Sequence, residues 1–111
     1  MKKFHIKSEY LDDDCYVMLG RYGDGSIAIK LESPLDGSTL SVPTANLTAY
    51  RRTPGEGNVF VKLYGENEGI YESMRELGIV GEKIKTVEGP YDSRWAECRL
   101  LNLDSDDYGR L

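Results

Sequence analysis

The sequence predicts an α+β domain: a small, twisted, mainly antiparallel sheet of about five to six strands with one amphipathic helix packed on one face. Three observations predict it. Short apolar runs alternate with polar neighbours and are punctuated by glycine-bearing turns. The two-residue period gives way once to a helical one, at Ile70, Met74 and Leu77. A length of 111 residues, 40% hydrophobic and 30% charged, supplies one core and not two. One domain is therefore expected over residues 1–103, with 104–111 an acidic, flexible tail.

Phe4 and Ile6, continued by Ser8 and Tyr10, read as a first strand, and Cys15 to Leu19 as a second, with Asp12-Asp13-Asp14 as the solvated turn between them. Tyr22-Gly23-Asp24-Gly25 is a hairpin loop leading into Ser26 to Glu32, where Ile27, Ile29 and Leu31 share a face. Pro34 to Gly37 turns the chain again, because proline fixes φ and Asp36-Gly37 tolerates positive φ. Leu40 and Val42 make the next strand, and Thr44 to Tyr50 continues the sheet past a kink at Pro43. Arg51 to Asn58, with two arginines, one proline and two glycines, reads as a mobile surface loop. Val59, Val61 and Leu63 form a strand. The helix that follows runs for about ten residues, with Asn67 as its cap, Glu68 in the first turn and Gly78 at its end. Lys83 to Glu88 is a strand, Gly89-Pro90 a turn, and Arg94 to Leu101 a last strand around Trp95.

The formal net charge of −5 and a pI near 4.9 argue against direct nucleic-acid binding, which needs a surplus of clustered Lys and Arg. No apolar run approaches the roughly 18 residues of a membrane-spanning helix, and Met1-Lys2-Lys3-Phe4-His5 leads into no apolar signal core. A cytoplasmic location without membrane contact is expected. Cys15 and Cys98 are far apart and lie in strand-like segments, so they read as buried thiols in a reducing compartment.

The sequence holds no catalytic constellation. His5 is the only histidine, which removes most His-based triads and His-rich metal sites. Neither cysteine has a second within metal-binding spacing, and the aspartates beside Cys15 disfavour a reactive thiolate. Asp12-Asp13-Asp14 lacks the spaced oxygens of a calcium loop, and Gly20, Gly23 and Gly25 have no following Lys-Ser/Thr, so they are turn glycines. No enzyme, cofactor or metal is expected. Eight tyrosines and one tryptophan point toward binding, since such side chains bury much area for few frozen torsions. The candidate binding residues are Arg51, Arg52, Tyr64, Asn67, Tyr91, Arg94 and Trp95; the group Tyr91, Arg94 and Trp95 after Gly89-Pro90 is expected to be partly exposed.

Three stretches carry a resemblance: Gly20 to Leu31 with Asp36-Gly37; Leu40-Ser41-Val42 leading to Ala45-Asn46-Leu47; and Asn58 to Lys62, with Asn67 opening and Leu77-Gly78-Ile79-Val80 closing the helix. Over roughly residues 15 to 100 the chain resembles the domain-of-unknown-function 4313 family of bacterial, phage and mobile-element proteins. It departs from that family at Pro43-Thr44 and after Gly81, where Lys83 to Asp92 replaces a Gly-Arg-rich aromatic stretch. The resemblance implies no catalytic residues and an accessory protein of a mobile genome, working in the host-cell cytoplasm. The leading expectation is an inhibitor of a host defence or regulatory protein. It would act through a sheet edge and the loops Arg51 to Asn58 and Gly89 to Trp95.

Two other readings stay open. One is an oligomer that sequesters a small ligand or nucleotide, with Arg51, Arg52 and Arg94 clamping phosphate and Tyr64 and Trp95 stacking a base. The other is an acidic DNA mimic, which 14 basic residues among 19 acidic ones count against. A homodimer is the default assembly, because small sheets with free edges pair to hide them.

Overall fold

The computed structural model describes all of residues 1–111. The α+β class is as expected, but two sheets share the strands instead of one. The larger sheet runs in order through β1 (Lys3–Lys7), β2 (Asp12–Arg21), β3 (Ile27–Glu32) and β4 (Thr39–Ser41), all antiparallel. The smaller has β5 (Asn58–Lys62), β6 (Val80–Glu88) and β7 (Arg94–Leu100) in the spatial order β5-β7-β6. Alternation predicts that a segment is a strand and which face it buries, but it does not name the partner strand.

The crossing from one sheet to the other is made at Pro43, a residue without a ladder donor. Thr44 makes a single bridge to Val61, flanked by Ala45 N–H to the Phe60 carbonyl and Lys62 N–H to the Pro43 carbonyl. The expected strand over Thr44 to Tyr50 is thus only that bridge, followed by a 3-10 turn at Thr48–Tyr50. Thr44 is 1% exposed, and its hydroxyl oxygen accepts the Ile29 N–H at 3.0 Å. One residue therefore pairs by backbone with the smaller sheet and by side chain with β3 of the larger.

The helix α1 (Ile70–Glu76) is shorter than predicted and buries Ile70, Tyr71, Ser73 and Met74, while Leu77 is 38% exposed. Its cap is Gly69, at φ 88°, and not Asn67, which closes a separate 3-10 turn over Gly65–Asn67. Gly78, at φ 76°, ends the helix as its sequence position predicts.

Asp12, Asp13 and Asp14 are not a turn but the first residues of β2, opposite Lys7, Ile6 and His5. The turn lies at Ser8 to Leu11, where the Ser8 N–H bonds the Leu11 carbonyl at 2.7 Å. The segment 104–111 is also corrected. β2 is ten residues long and β1 only five, so β1 leaves half of one edge of β2 bare. A last strand, β8 (Gly109–Arg110), fills that edge in parallel, opposite Met18 and Leu19. Tyr108 is buried against Phe4, and its hydroxyl donates to the Leu101 carbonyl at 2.8 Å. The acidic side chains Asp104, Asp106 and Asp107 face solvent while this aromatic anchor holds the chain down.

The main core joins both sheets and α1, and it contains both cysteines as free thiols. Burial pushes Cys15 up to about 11 and Cys98 up to about 12, so both are neutral at physiological pH. A second cluster of Leu47, Phe60, Val87 and Trp95 covers the opposite face of the small sheet. No helix is long and apolar enough to cross a membrane.

Candidate functional site

The small sheet carries Arg94 and Trp95 on β7, with Tyr91 in the β6–β7 turn and Tyr64 just beyond the end of β5. Trp95 on β7 is 4% exposed, which corrects the expectation that it lies partly open. Its neighbours explain the burial: Phe60 from β5, Val87 from β6 and Leu47 from the crossing segment close over it. Tyr64 meets the indole edge-on at 5.6 Å between ring centres, and Tyr50 approaches it at 6.0 Å. The indole Nε1–H is buried without an acceptor.

Arg51 and Arg52 follow Tyr50 and are exposed, with Arg51 at φ 58° closing the 3-10 turn by its N–H to the Thr48 carbonyl. The fold therefore brings Tyr64 and Trp95 together and sets Arg51 and Arg52 beyond Tyr50 at the cluster's margin. Arg94, one residue from Trp95 on the same strand, projects from the other side of the sheet. Asn67 belongs elsewhere, with its Oδ1 accepting the Ser41 hydroxyl at 2.6 Å. Of the phosphate clamp and base stack in the sequestering reading, Arg94 is therefore set apart from the other members. Trp95 offers no open face for a base.

The stretch Arg51 to Asn58, expected to be mobile, is anchored by a residue outside the candidates that the sequence singles out. Glu97 on β7 is 5% exposed, and its Oε2 accepts the Gly55 N–H at 2.9 Å and the Asn58 side-chain amide at 2.8 Å. Lys85 Nζ stands 3.6 Å from its other oxygen. Burial alone would raise the Glu97 carboxyl. The Gly55 N–H, the Asn58 amide and the Lys85 ammonium outweigh it and hold the group below the ordinary carboxylate range. A lone glutamate flanked by Ala96 and Cys98 in a strand is the only sequence sign of this clamp.

The β6–β7 hairpin ends in a turn over Pro90 to Ser93. The Ser93 N–H bonds the Pro90 carbonyl at 3.1 Å, and the Gly89 N–H bonds the Ser93 carbonyl at 2.9 Å. Its central residues, Tyr91 at φ 57° and Asp92 at φ 62°, both take the left-handed backbone, as a type I′ turn demands. Asn-Gly is the usual occupant of those positions; a tyrosine there is held against its preference. Tyr91 is 100% exposed. The base of the turn is seated on the aromatic cluster: a Cβ on Gly89 would stand 2.6 Å from the Trp95 ring. Only glycine permits that approach.

His5 lies on the exposed face of the larger sheet, between two aspartates. Its Nε2 is 2.7 Å from Asp12 Oδ1 and its Nδ1 is 2.8 Å from Asp14 Oδ1, because β1 and β2 are in register there. Hydrogen bonding to Asp14 and then Asp12 raises its pKa above the ordinary value. No group of three or more His, Cys, Asp or Glu side chains is placed to hold a metal ion.

Compared with known proteins, the chain matches no family model, no curated protein and no solved structure.

Proposed function

We propose that this chain is a non-enzymatic binding protein that inhibits a host defence or regulatory protein by occupying its surface, with Tyr91 as the anchor. The observation that carries the reading is the hairpin tip: a wholly exposed tyrosine in a left-handed backbone, braced by the Gly89–Trp95 contact below it. Unfavourable backbone conformations cost roughly 1–3 kcal/mol each and persist where the surroundings over-determine them, which is typical of functional positions. A backbone already held in shape loses little entropy when the side chain it carries enters a partner's pocket. Tyrosine is also among the residue types that dominate binding energy at interfaces.

Arg51, Arg52 and the half-exposed Tyr50 extend the surface, and Arg94 borders the tip. The phage or mobile-element setting rests on the family resemblance alone. Pairing of two copies along β6, the outer strand of the small sheet, is not favoured. Lys83, Lys85 and two register shifts lie on that edge, and lysines and bulges are what sheets use to refuse partners.

The test is affinity capture from a bacterial lysate with wild type and Tyr91→Ala in parallel, analysed for proteins and for heat-released small molecules. One dominant protein that is retained by wild type and lost by the variant supports the reading. A released nucleotide without protein supports the sequestering alternative instead.

A further inference from the structure

Where the two sheets part, a cavity of about 530 Å³ opens between β4, the end of β5, the β1–β2 turn and the start of α1. Leu11, Leu40 and Val42 give it its apolar lining, and Lys62, Ser41 and Asn67 bring polar groups to it. Lys62 is half-buried, and its ammonium donates to the Val42 carbonyl at 2.9 Å. No carboxylate lies within ion-pair distance of it. The Ser41–Asn67 hydrogen bond uses one polar atom of the Asn67 amide and fixes its plane, leaving the other amide atom without a protein partner.

We propose that this cavity binds a small monocarboxylate with a short apolar tail, the carboxylate on Lys62 Nζ and the Asn67 amide and the tail on Leu11, Leu40 and Val42. The volume falls within the range of small-molecule sites. A partly desolvated ammonium lacking a counter-ion recovers much of its lost hydration when an anion arrives. Burial accordingly holds Lys62 below the ordinary lysine value. The charge inventory restricts the anion. Lys62 is the one cation lining the cavity and Glu66 lines it too, so a doubly charged phosphate meets too few donors and about twice the repulsion that a monocarboxylate meets.

The experiment is a two-dimensional amide NMR titration of the full chain with isocaproate, its neutral isostere isocaproamide, and inorganic phosphate. The expected result is saturable shifts of Leu11, Ser41, Lys62 and Asn67 with isocaproate. Isocaproamide and phosphate should bind about tenfold more weakly or worse, the usual worth of a charge-assisted contact. Lys62→Met should lose binding, Asn67→Ala should weaken it, and Tyr91→Ala should leave it unchanged. Circular dichroism checks that each variant folds. If Lys62→Met does not fold, the isocaproamide comparison and Asn67→Ala decide. No saturable shift with isocaproate, equal affinity for isocaproamide, or undiminished binding to folded Lys62→Met overturns the assignment.

Discussion

Thr44 shows how much one side chain can carry. The Ile29 N–H is on a strand whose ladder to β4 is short and irregular, and the Thr44 hydroxyl satisfies it in the buried layer between the sheets. Thr44→Val keeps the shape and removes the acceptor, so a buried donor is orphaned; the expected loss is about 1–3 kcal/mol, read by urea denaturation. His5 supplies a residue-scale prediction of opposite visibility, because its ring is exposed. Its raised pKa means that the folded state favours the imidazolium, with both N–H groups donating to carboxylates. The stabilisation is fully present below the ordinary value of 6.5 and is lost as pH rises through the folded value. An NMR titration of the His5 ring should give a value above 6.5 in wild type, falling back toward it in Asp12→Asn/Asp14→Asn.

At the scale of elements, the β6–β7 hairpin sets stability against function. Replacing Tyr91-Asp92 by Asn-Gly installs the residues that a type I′ turn prefers. The double variant should be more stable than wild type by about 1 kcal/mol, seen as a raised midpoint in thermal melts, while losing protein capture. Equal or lower stability would mean that the left-handed tyrosine is not strained. Gly89→Ala acts from beneath, by driving a methyl group into the Trp95 ring; altered tryptophan fluorescence together with a lower melting temperature is the expected signature. The Glu97 clamp predicts that Glu97→Ala frees the 51–58 segment. Faster hydrogen exchange at Gly55 and its neighbours, with little change in β1 to β3, would show it.

For the whole molecule, the closing segment matters more than its composition implies. Lys2 N–H bonds the Asp107 carbonyl, Leu111 N–H bonds the Leu19 carbonyl, and Tyr108 seals the end of the main core over Phe4. Truncation after Leu103 removes a buried aromatic and bares an edge of β2; a loss of about 3 kcal/mol or more is expected in denaturant titration. A change within error would mean that the segment is an ornament on an already complete core.

What the sequence determined by itself was local. Ile27, Ile29 and Leu31 announce their face by alternation, Gly25, Gly37 and Gly78 sit where positive φ is needed, and the helical spacing from Ile70 marks α1. Such features are legible because periodicity and backbone sterics act over a few residues. The tertiary structure alone decided that strands divide between two sheets, that Trp95 is covered, that Glu97 holds the 51–58 loop, and that Tyr108 anchors an acidic tail. The same holds for the site: Tyr64 and Trp95 meet, whereas Arg94 and Asn67 are directed elsewhere. Each of these depends on contacts between segments distant in the chain, where the free energy comes from burial and hydrogen bonding with partners that no local pattern names.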